Sequence, residues 1–357
     1  MHKGEEVMTI MKDRKMDHIN ICAAGDVMPE YSYWDDIVLV HEALPEVSAD
    51  DIDMSATVLG KKLKFPFIVT AITGGFTGAK KINANIAEAC AELGIGMGVG
   101  SQRAAIEKID KKSYAVIKDY DVPLVIGNVG APQLVDQKNK KAFTDEMIGD
   151  AMELISADVM AVHLNFLQEV VQPEGDTNAV GCFDRIRTLA RKYPIIVKET
   201  GAGISPRTAK RLNGIGIKGI DIAGMGGTSF AAVEMYRAMD KGDLVKGSVG
   251  NTFFEWGIPA PVSLMSLKTD LPVIASGGIE NGLHAASSIA LGACCAGGAN
   301  LVLNAAMESA DKVKLRLTAI REEIRAAMML TGSKNVAALA SANKVILGKT
   351  KEWMGQI

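Results

Sequence analysis

Short runs of apolar and β-branched residues recur along the chain, each closed by glycine, proline or a polar turn. They are Phe67–Ile72, Ile95–Val99, Leu124–Asn128, Val159–Leu164, Ile195–Lys198, Gly219–Ala223, Pro272–Ser276 and a last one near Ala296–Leu303. The runs are nearly continuous rather than alternating, which is the pattern of parallel strands covered on both faces. Between them lie stretches with helical spacing: Ala79–Leu93, Phe143–Ser156, Phe183–Lys192, Pro206–Leu212 and Ala231–Met239. Alternating strand and helix implies a parallel sheet. The strand–helix repeats between Asp50 and about Leu330 favour an α/β fold of the (β/α)8 TIM-barrel type over an open, doubly wound sheet. A polar N-terminal arm, residues 1–49, and a C-terminal helical tail lie outside the repeats, so two parts are expected: 1–49 and 50–357. The insert Lys241–Asp270 carries NTFFEWGIPAPVS, whose clustered aromatics suggest a structured loop or a subunit contact.

Composition narrows the function classes. A length of 357 residues gives a prior near two domains at about 150 residues each, but one barrel with extensions reaches the same length. The 39 Lys+Arg against 42 Asp+Glu leave a net charge of −3. That balance argues against a nucleic-acid binder or a polybasic membrane anchor. With 48% hydrophobic residues the chain can bury a sizeable core. Glycine is abundant (36 residues) while aromatics are 5%, which suggests many tight turns and backbone brought close to a ligand. Cys22, Cys90, Cys182, Cys294 and Cys295 show no CxxC spacing, and the first residues carry no apolar signal region. Both point to a reducing, cytoplasmic setting. The most apolar stretch, Ala290–Met307, is broken by glycines and Asn300 and reads as a buried strand with a turn, leaving no transmembrane span.

In a barrel the ligand sits where the loops after the strands converge. Three adjacent loops are glycine clusters: Gly224-Met225-Gly226-Gly227-Thr228-Ser229, Ser276-Gly277-Gly278-Ile279 and Gly297-Gly298-Ala299-Asn300. Bare N–H groups and helix N-termini there suit a phosphate, with the Thr228 and Ser229 hydroxyls in support. Lys198 ends an apolar strand, where an unpaired charge is costly to bury. It meets an anionic ligand, polarises an electron-rich ring, forms a Schiff base or pairs with Glu199 or another loop carboxylate. HLNFLQE gathers His163, Asn165, Gln168 and Glu169 beyond one strand, and Glu169 suits a hard cation such as Mg2+. Glu174 and Asp176 either share that metal or are solvated. Arg14, Lys15 and His18 in the arm read, on composition alone, as a solvated basic face.

Taken together, RKMDH, ITGG, GVGSQR, IGNVG, HLNFLQEVVQPEGD, VKETGAGIS, GMGGTSF, FFEWGIP, ASGGI and the terminal GKTKEW resemble the type 2 isopentenyl-diphosphate Δ-isomerases over nearly the whole chain. The resemblance implies a (β/α)8 barrel holding FMN, active with reduced flavin and Mg2+, with NAD(P)H as flavin reductant. It implies a small-molecule diphosphate as substrate, interconversion of isopentenyl and dimethylallyl diphosphate without net redox change, and a tetramer or octamer. Carried over by position, Arg14, Lys15, His18, Ser101, Gln102, Arg103, His163, Asn165 and Gln168 would contact substrate. Gln168 and Lys198 would be catalytic, and Glu169 would hold the metal. Ala71, Ile72, Thr73, Gly74, Ser101, Asn128, Lys198, Thr228, Gly277, Gly278, Ile279, Ala299 and Asn300 would hold FMN. Ala223, Glu280, His284, Asn300 and Ala340 depart from the family pattern. Of these, a carboxylate at Glu280 is expected to repel the flavin phosphate.

Two other functions remain open at this point. A flavin oxidoreductase of the α-hydroxy-acid or dihydroorotate type would use His163 as base, but leaves the basic arm and QPEG without a role. A degenerate barrel would bind flavin or phosphate without turnover. An inosinate-type nucleotide dehydrogenase needs a nucleophilic Cys, and Cys182 lies well past the fourth run.

Overall fold

A computed structural model describes residues 15–357; Arg14, expected at the diphosphate, lies outside the described residues. Twelve strands are formed among these residues. The first is β1 (Ile37–Leu39), followed by the hairpin β2 (Ala56–Val58) and β3 (Lys61–Leu63). The barrel strands are β4 (Phe67–Val69), β5 (Gly96–Gly98), β6 (Val125–Gly130), β7 (Val159–Leu164), β8 (Ile195–Glu199), β9 (Gly219–Asp221), β10 (Val273–Ala275) and β11 (Cys295–Gly298), and β12 (Lys344–Ile346) follows in the tail. Strands β4 to β11 close into a parallel barrel in chain order, β11 pairing back onto β4 through Ala296–Phe67, Gly297–Ile68 and Gly298–Val69. Each apolar run predicted from the sequence overlaps one of these strands, although β6 and β8 continue past the ends of their runs and β11 begins one residue before its run.

The barrel interior is a packed core. Ile68, Leu124, Ile126, Val159, Ala161, Ile196, Ile274 and Cys295 meet inside it, and Val58 and Leu63 of the hairpin plug its lower end. The opposite end is therefore the open one. Helices fill the connections at the expected places: Ala79–Leu93, Asp145–Ile155, Cys182–Ala190, Pro206–Leu212 and Phe230–Asp240. Local chemistry sets their ends. Thr144 and Ser205 accept N–H bonds as N-caps, Pro206 occupies the first turn, and Gly94 ends its helix in the left-handed conformation.

The last apolar stretch differs from expectation. Residues Leu301–Leu303 belong to the helix Asn300–Glu308, not to a strand. Nearly uniform hydrophobicity hid the change of period, since this helix buries Val302, Leu303 and Ala306 against the barrel. No helix among the described residues is long and apolar enough to cross a membrane.

The N-terminal segment is woven into the barrel. Strand β1 pairs antiparallel with β12 of the tail, and buried Trp34 donates Nε1–H to Gly277 O at 2.8 Å. Residues 15–24 form a helix over the open end. The insert between β9 and β10 folds into the helices Leu244–Thr252 and Ala260–Ser266, leaving Leu244, Val245 and Trp256 exposed.

Candidate active site

A cavity of about 530 Å³ opens at the carboxyl ends of the strands. Its wall includes Lys15, His18, Ala71, Ile72, Thr73, Ser101, Arg103, Asn128, His163, Asn165, Gln168, Glu169, Lys198, Thr228, Gly277, Gly278, Ile279, Ala299 and Asn300. Two of the expected residues are not on that wall. Gln102 is fully buried; its Oε1 accepts Asn128 N–H at 3.1 Å and its Nε2 donates to Ala151 O at 2.7 Å. With both ends of its amide bound to backbone and its side chain buried away from the cavity, Gln102 holds β6 in place and does not face a ligand. Gly74 contributes its carbonyl to the Lys15 ammonium instead of lining the cavity.

One side of the cavity has features that suit a phosphate. The loops after β9 and β10 touch backbone to backbone: a Cβ on Gly277 would fall 2.0 Å from Gly224 O, and one on Gly278 2.8 Å from Gly226. Both glycines have positive φ, +94° and +76°, which L side chains rarely adopt. Beside them the helix Asn300–Glu308 begins without a side-chain cap, so its first N–H groups face the loop end without a side-chain acceptor. Thr228 lines the same side, but the Ser229 hydroxyl does not serve a ligand, because it caps its own helix and donates to Phe254 O at 2.6 Å. This glycine lip, the uncapped helix start and the polar floor of Asn128 and Lys198 suit FMN.

The floor is set by strand register. His163, Lys198 and Asp221 are successive partners across β7, β8 and β9. Lys198 Nζ donates to Glu199 O at 2.6 Å and lies 3.8 Å from Asp221 Oδ2. Asp221, not the Glu199 side chain, is thus its carboxylate partner. Glu199 accepts the N–H groups of Thr200, at 2.6 Å, and Ala202, and burial raises its pKa to about 7 despite them. His163 Nδ1 lies 2.7 Å from Asn128 Oδ1, while Asn128 Nδ2 donates to Val99 O at 3.0 Å. The Asn128 oxygen can only accept, so His163 carries its proton on Nδ1 and bares a lone pair on Nε2. Burial, then the Lys198 and Lys15 charges, push the imidazole pKa down to about 3. As it stands His163 is a neutral acceptor, not a cation waiting for phosphate.

The second side gathers the HLNFLQE residues. Asn165 Nδ2 donates to Glu169 Oε1 at 2.9 Å, and Glu169 Oε2 accepts Asp176 N–H at 2.6 Å. That last bond requires the loop after the helix Phe166–Val171 to fold back closely, and Gly175 permits it: a Cβ there would meet Glu169 O at 1.8 Å. Asn165 Oδ1 is buried with no hydrogen-bond partner among the described residues. A neutral oxygen left unpaired next to a carboxylate suits a hard cation, which prefers oxygen ligands. No three His, Cys, Asp or Glu side chains among the described residues are grouped so as to hold a metal ion, so a cation here would need further oxygens from substrate or water. Glu174 and Asp176 are not free to help: Glu174 pairs with Arg237 at 2.9 Å, and Asp176 pairs with Arg103 at 2.9 Å and Lys140 at 2.7 Å.

The arm enters the site. Lys15 donates to Gly74 O, to Ser101 O at 3.1 Å and to Tyr114 Oη at 3.0 Å. Arg103 also lines the cavity, though Glu107 at 2.8 Å and Asp176 already offset its charge. His18 Nε2 meets Glu234 Oε1 at 2.8 Å, and Gln168 Nε2 donates to the same oxygen at 2.9 Å. Arg237 binds the other Glu234 oxygen. Burial alone would raise the Glu234 pKa, but His18, Arg237 and Gln168 outweigh it and hold the carboxyl at about 2.

Sequence reasoning missed Glu234, Arg237, Asp221, Trp34 and Tyr114. Glu234 and Arg237 carried a usable signal, since their i, i+3 spacing places both on one face of an otherwise apolar helix. Among the departures from the family pattern, His284 pairs with Asp35 at 2.8 Å, Ala340 is exposed at a helix end, and Asn300 Nδ2 contacts the Met28 sulfur at 3.6 Å. Ala223 lines the cavity with a positive φ of +34°. Glu280 is exposed at the cavity rim.

Comparison with known proteins agrees with this geometry. The family model for FMN-dependent dehydrogenases matches residues 24–123 and 156–345. An isopentenyl-diphosphate delta-isomerase of Thermoplasma acidophilum is 48% identical over 342 residues, covering 96% of this chain and 98% of its own. The enzyme of that name from Archaeoglobus fulgidus is 43% identical over 346 residues, covering 96% and 97%. Among solved structures, an Arg-to-Lys mutant of flavocytochrome b2 superposes with a TM-score of 0.64 at 16% identity, covering 95% of this chain and 84% of that one. A mandelate oxidase mutant gives 0.61 at 18% identity, covering 96% and 98%. At such identities these two share the fold.

Proposed function

The chain belongs to the isopentenyl-diphosphate delta-isomerase family in its FMN-dependent, type 2 form, and from that premise we propose that it interconverts isopentenyl and dimethylallyl diphosphate without net redox change. The observation that carries this reading is one cavity whose two sides are differently equipped, a glycine lip on one and Lys15 with the HLNFLQE residues on the other. The glycine lip suits a flavin phosphate, and Lys15, Asn165 and Glu169 suit the head of a diphosphate. An oxidoreductase of the hydroxy-acid type would leave the second side without work.

Moving the double bond requires a proton added at one end of a three-carbon allylic unit and another removed from the other end, the central carbon carrying the developing positive charge between the two transfers. When bound, reduced flavin supplies an electron-rich face that stabilises developing positive charge and exchanges a proton. The chain's own residues position the substrate against that face. Lys15, with Arg14 beside it in sequence, would pair with the diphosphate oxygens by giving up one or more of its bonds to Gly74 O, Ser101 O and Tyr114 Oη. Glu169 and Asn165 Oδ1 would hold Mg2+, whose charge would offset part of that of the diphosphate. The incoming phosphates favour a proton on His163 Nε2, turning a neutral acceptor into a donor. With its head held, the short apolar tail would extend into the cavity that Gln168 lines, which would give the proximity to Gln168 and the bound flavin that proton transfer needs. Gln168 does not ionise; Glu234 Oε1, charged at neutral pH, fixes its Nε2 and so its orientation. Lys198, backed by Asp221 at 3.8 Å, would supply the cation that tunes the charge on the flavin ring.

NAD(P)H is the proposed reductant of the flavin, and the cytoplasm the proposed location. Assembly into a homo-oligomer is supported by Leu244, Val245 and Trp256, large apolar side chains exposed on the insert. The test is conversion of isopentenyl diphosphate by the full chain with FMN, reductant and Mg2+, each omitted in turn. Dimethylallyl diphosphate is expected only with all three, with far less NAD(P)H consumed than product formed. Consumption matched one to one with product would overturn the isomerase reading in favour of an oxidoreductase.

A further inference from the structure

The glycine lip raises a question of charge. A flavin phosphate carries close to two negative charges, yet the loop after β10 offers Glu280, a carboxylate, at the rim of the cavity. Backbone N–H groups and a helix start suffice to bind an anion, but not to offset a carboxylate at the same rim.

The counter-charge comes from outside the loop. Arg316 lies on the long helix Ala310–Leu330, which follows the last barrel unit, and its side chain lines the cavity. Its Nη2 donates to Glu280 O at 2.6 Å, which ties the guanidinium to the β10 loop. Among the described residues no carboxylate lies within 4 Å of it, and the positions one turn away on its helix are Lys312, Val313, Ala319 and Ile320. The other Lys and Arg side chains on the described cavity wall belong to other loops. Lys15 is held at Gly74 and Ser101, Arg103 by Glu107 and Asp176, and Lys198 by Asp221. A guanidinium has five N–H donors, so one bond to a carbonyl leaves a fork for a phosphate.

We propose that Arg316 is a cofactor-specificity residue: it pairs with the flavin phosphate from the post-barrel helix and offsets the charge that Glu280 brings to the rim. The proposal rests on the FMN reading given above and assigns the cation within it. Its consequence is selectivity. FMN and riboflavin share the ring and ribityl chain and differ by the phosphate, so Arg316 acts on one ligand and not the other.

The experiment measures FMN and riboflavin binding to the flavin-free full chain by quenching of flavin fluorescence, for wild type, Arg316→Gln and Arg316→Lys. A charge-assisted hydrogen bond predicts that Arg316→Gln weakens FMN binding about 10- to 100-fold while riboflavin binding stays within about threefold. Arg316→Lys recovers part of the FMN loss, because it restores charge without the fork. An unchanged FMN-to-riboflavin ratio in Arg316→Gln, or a parallel loss of both ligands, overturns the assignment. If the wild type binds neither flavin, the FMN reading itself falls and takes this one with it. Wild-type preference for FMN that survives the substitution removes only Arg316.

Discussion

Glu234 gives the sharpest test of the site, because stability and catalysis both pass through it. Its side chain is fully buried and bound by His18 and Gln168 on one oxygen and by Arg237 on the other. These donors hold its pKa at about 2 in the folded protein, against an ordinary 4.5. A difference of about 2.5 pH units at ~1.36 kcal/mol per unit amounts to roughly 3 kcal/mol. The folded value lies below the unfolded one, so this stabilisation is fully present above pH 4.5 and is lost as the pH falls from 4.5 toward 2. Glu234→Gln keeps the volume and removes the charge, while Arg237 retains Glu174 at 2.9 Å and Asp17 at 3.5 Å. Urea unfolding at saturating flavin, followed by circular dichroism between about pH 7 and pH 3, should show a gap of ~3 kcal/mol at neutral pH that narrows below about pH 4.5. Turnover should fall in the same variant, because one amide oxygen replaces two carboxylate oxygens and cannot serve both the His18–Gln168 side and Arg237, with the absorption of bound flavin unchanged. A gap that does not vary with pH, or one under about 1 kcal/mol at neutral pH, would refute the pairing argument.

Other substitutions probe separate parts of the cavity. Glu169→Gln should raise the Mg2+ concentration for half-maximal activity by at least about tenfold and leave FMN affinity as it was; an unmoved Mg2+ titration removes Glu169 as ligand. Lys15→Ala should raise the KM for isopentenyl diphosphate about 10- to 100-fold without altering the flavin spectrum, and unaltered steady-state kinetics would mean the arm does not serve the diphosphate. His163 has a folded pKa near 3 against an ordinary 6.5, so it lowers stability progressively as pH falls from 6.5 toward 3. His163→Gln should make that decline shallower by up to about 1.4 kcal/mol per pH unit, and identical slopes in variant and wild type would count against a buried neutral imidazole.

The barrel was legible in the sequence because its physics is local and repeated. A strand buried on both faces must be apolar throughout, and the covering helices must be apolar on one side. The period of the chain therefore marks β4 to β11 and their order without reference to contacts. The Ala290–Met307 stretch shows the limit of that argument: an apolar run around a strand and an adjoining buried helix reads the same until the turn between them is seen. Glycine clusters and HLNFLQE also announced themselves, since strand ends in a barrel converge on one face. What the neighbours of each side chain do to its charge was not written there. Gln102 stands in a ligand motif yet spends its amide on Asn128 N–H and Ala151 O. Asp221 rather than Glu199 takes Lys198 because β8 and β9 set them in register. Glu234 meets His18, 216 residues away in sequence, and Arg316 reaches Glu280 across 36. Periodicity fixes which way a residue points along its own element, whereas pairing, protonation and the sign of a cavity wall depend on groups brought together only when the barrel closes and the terminal segments pack against it.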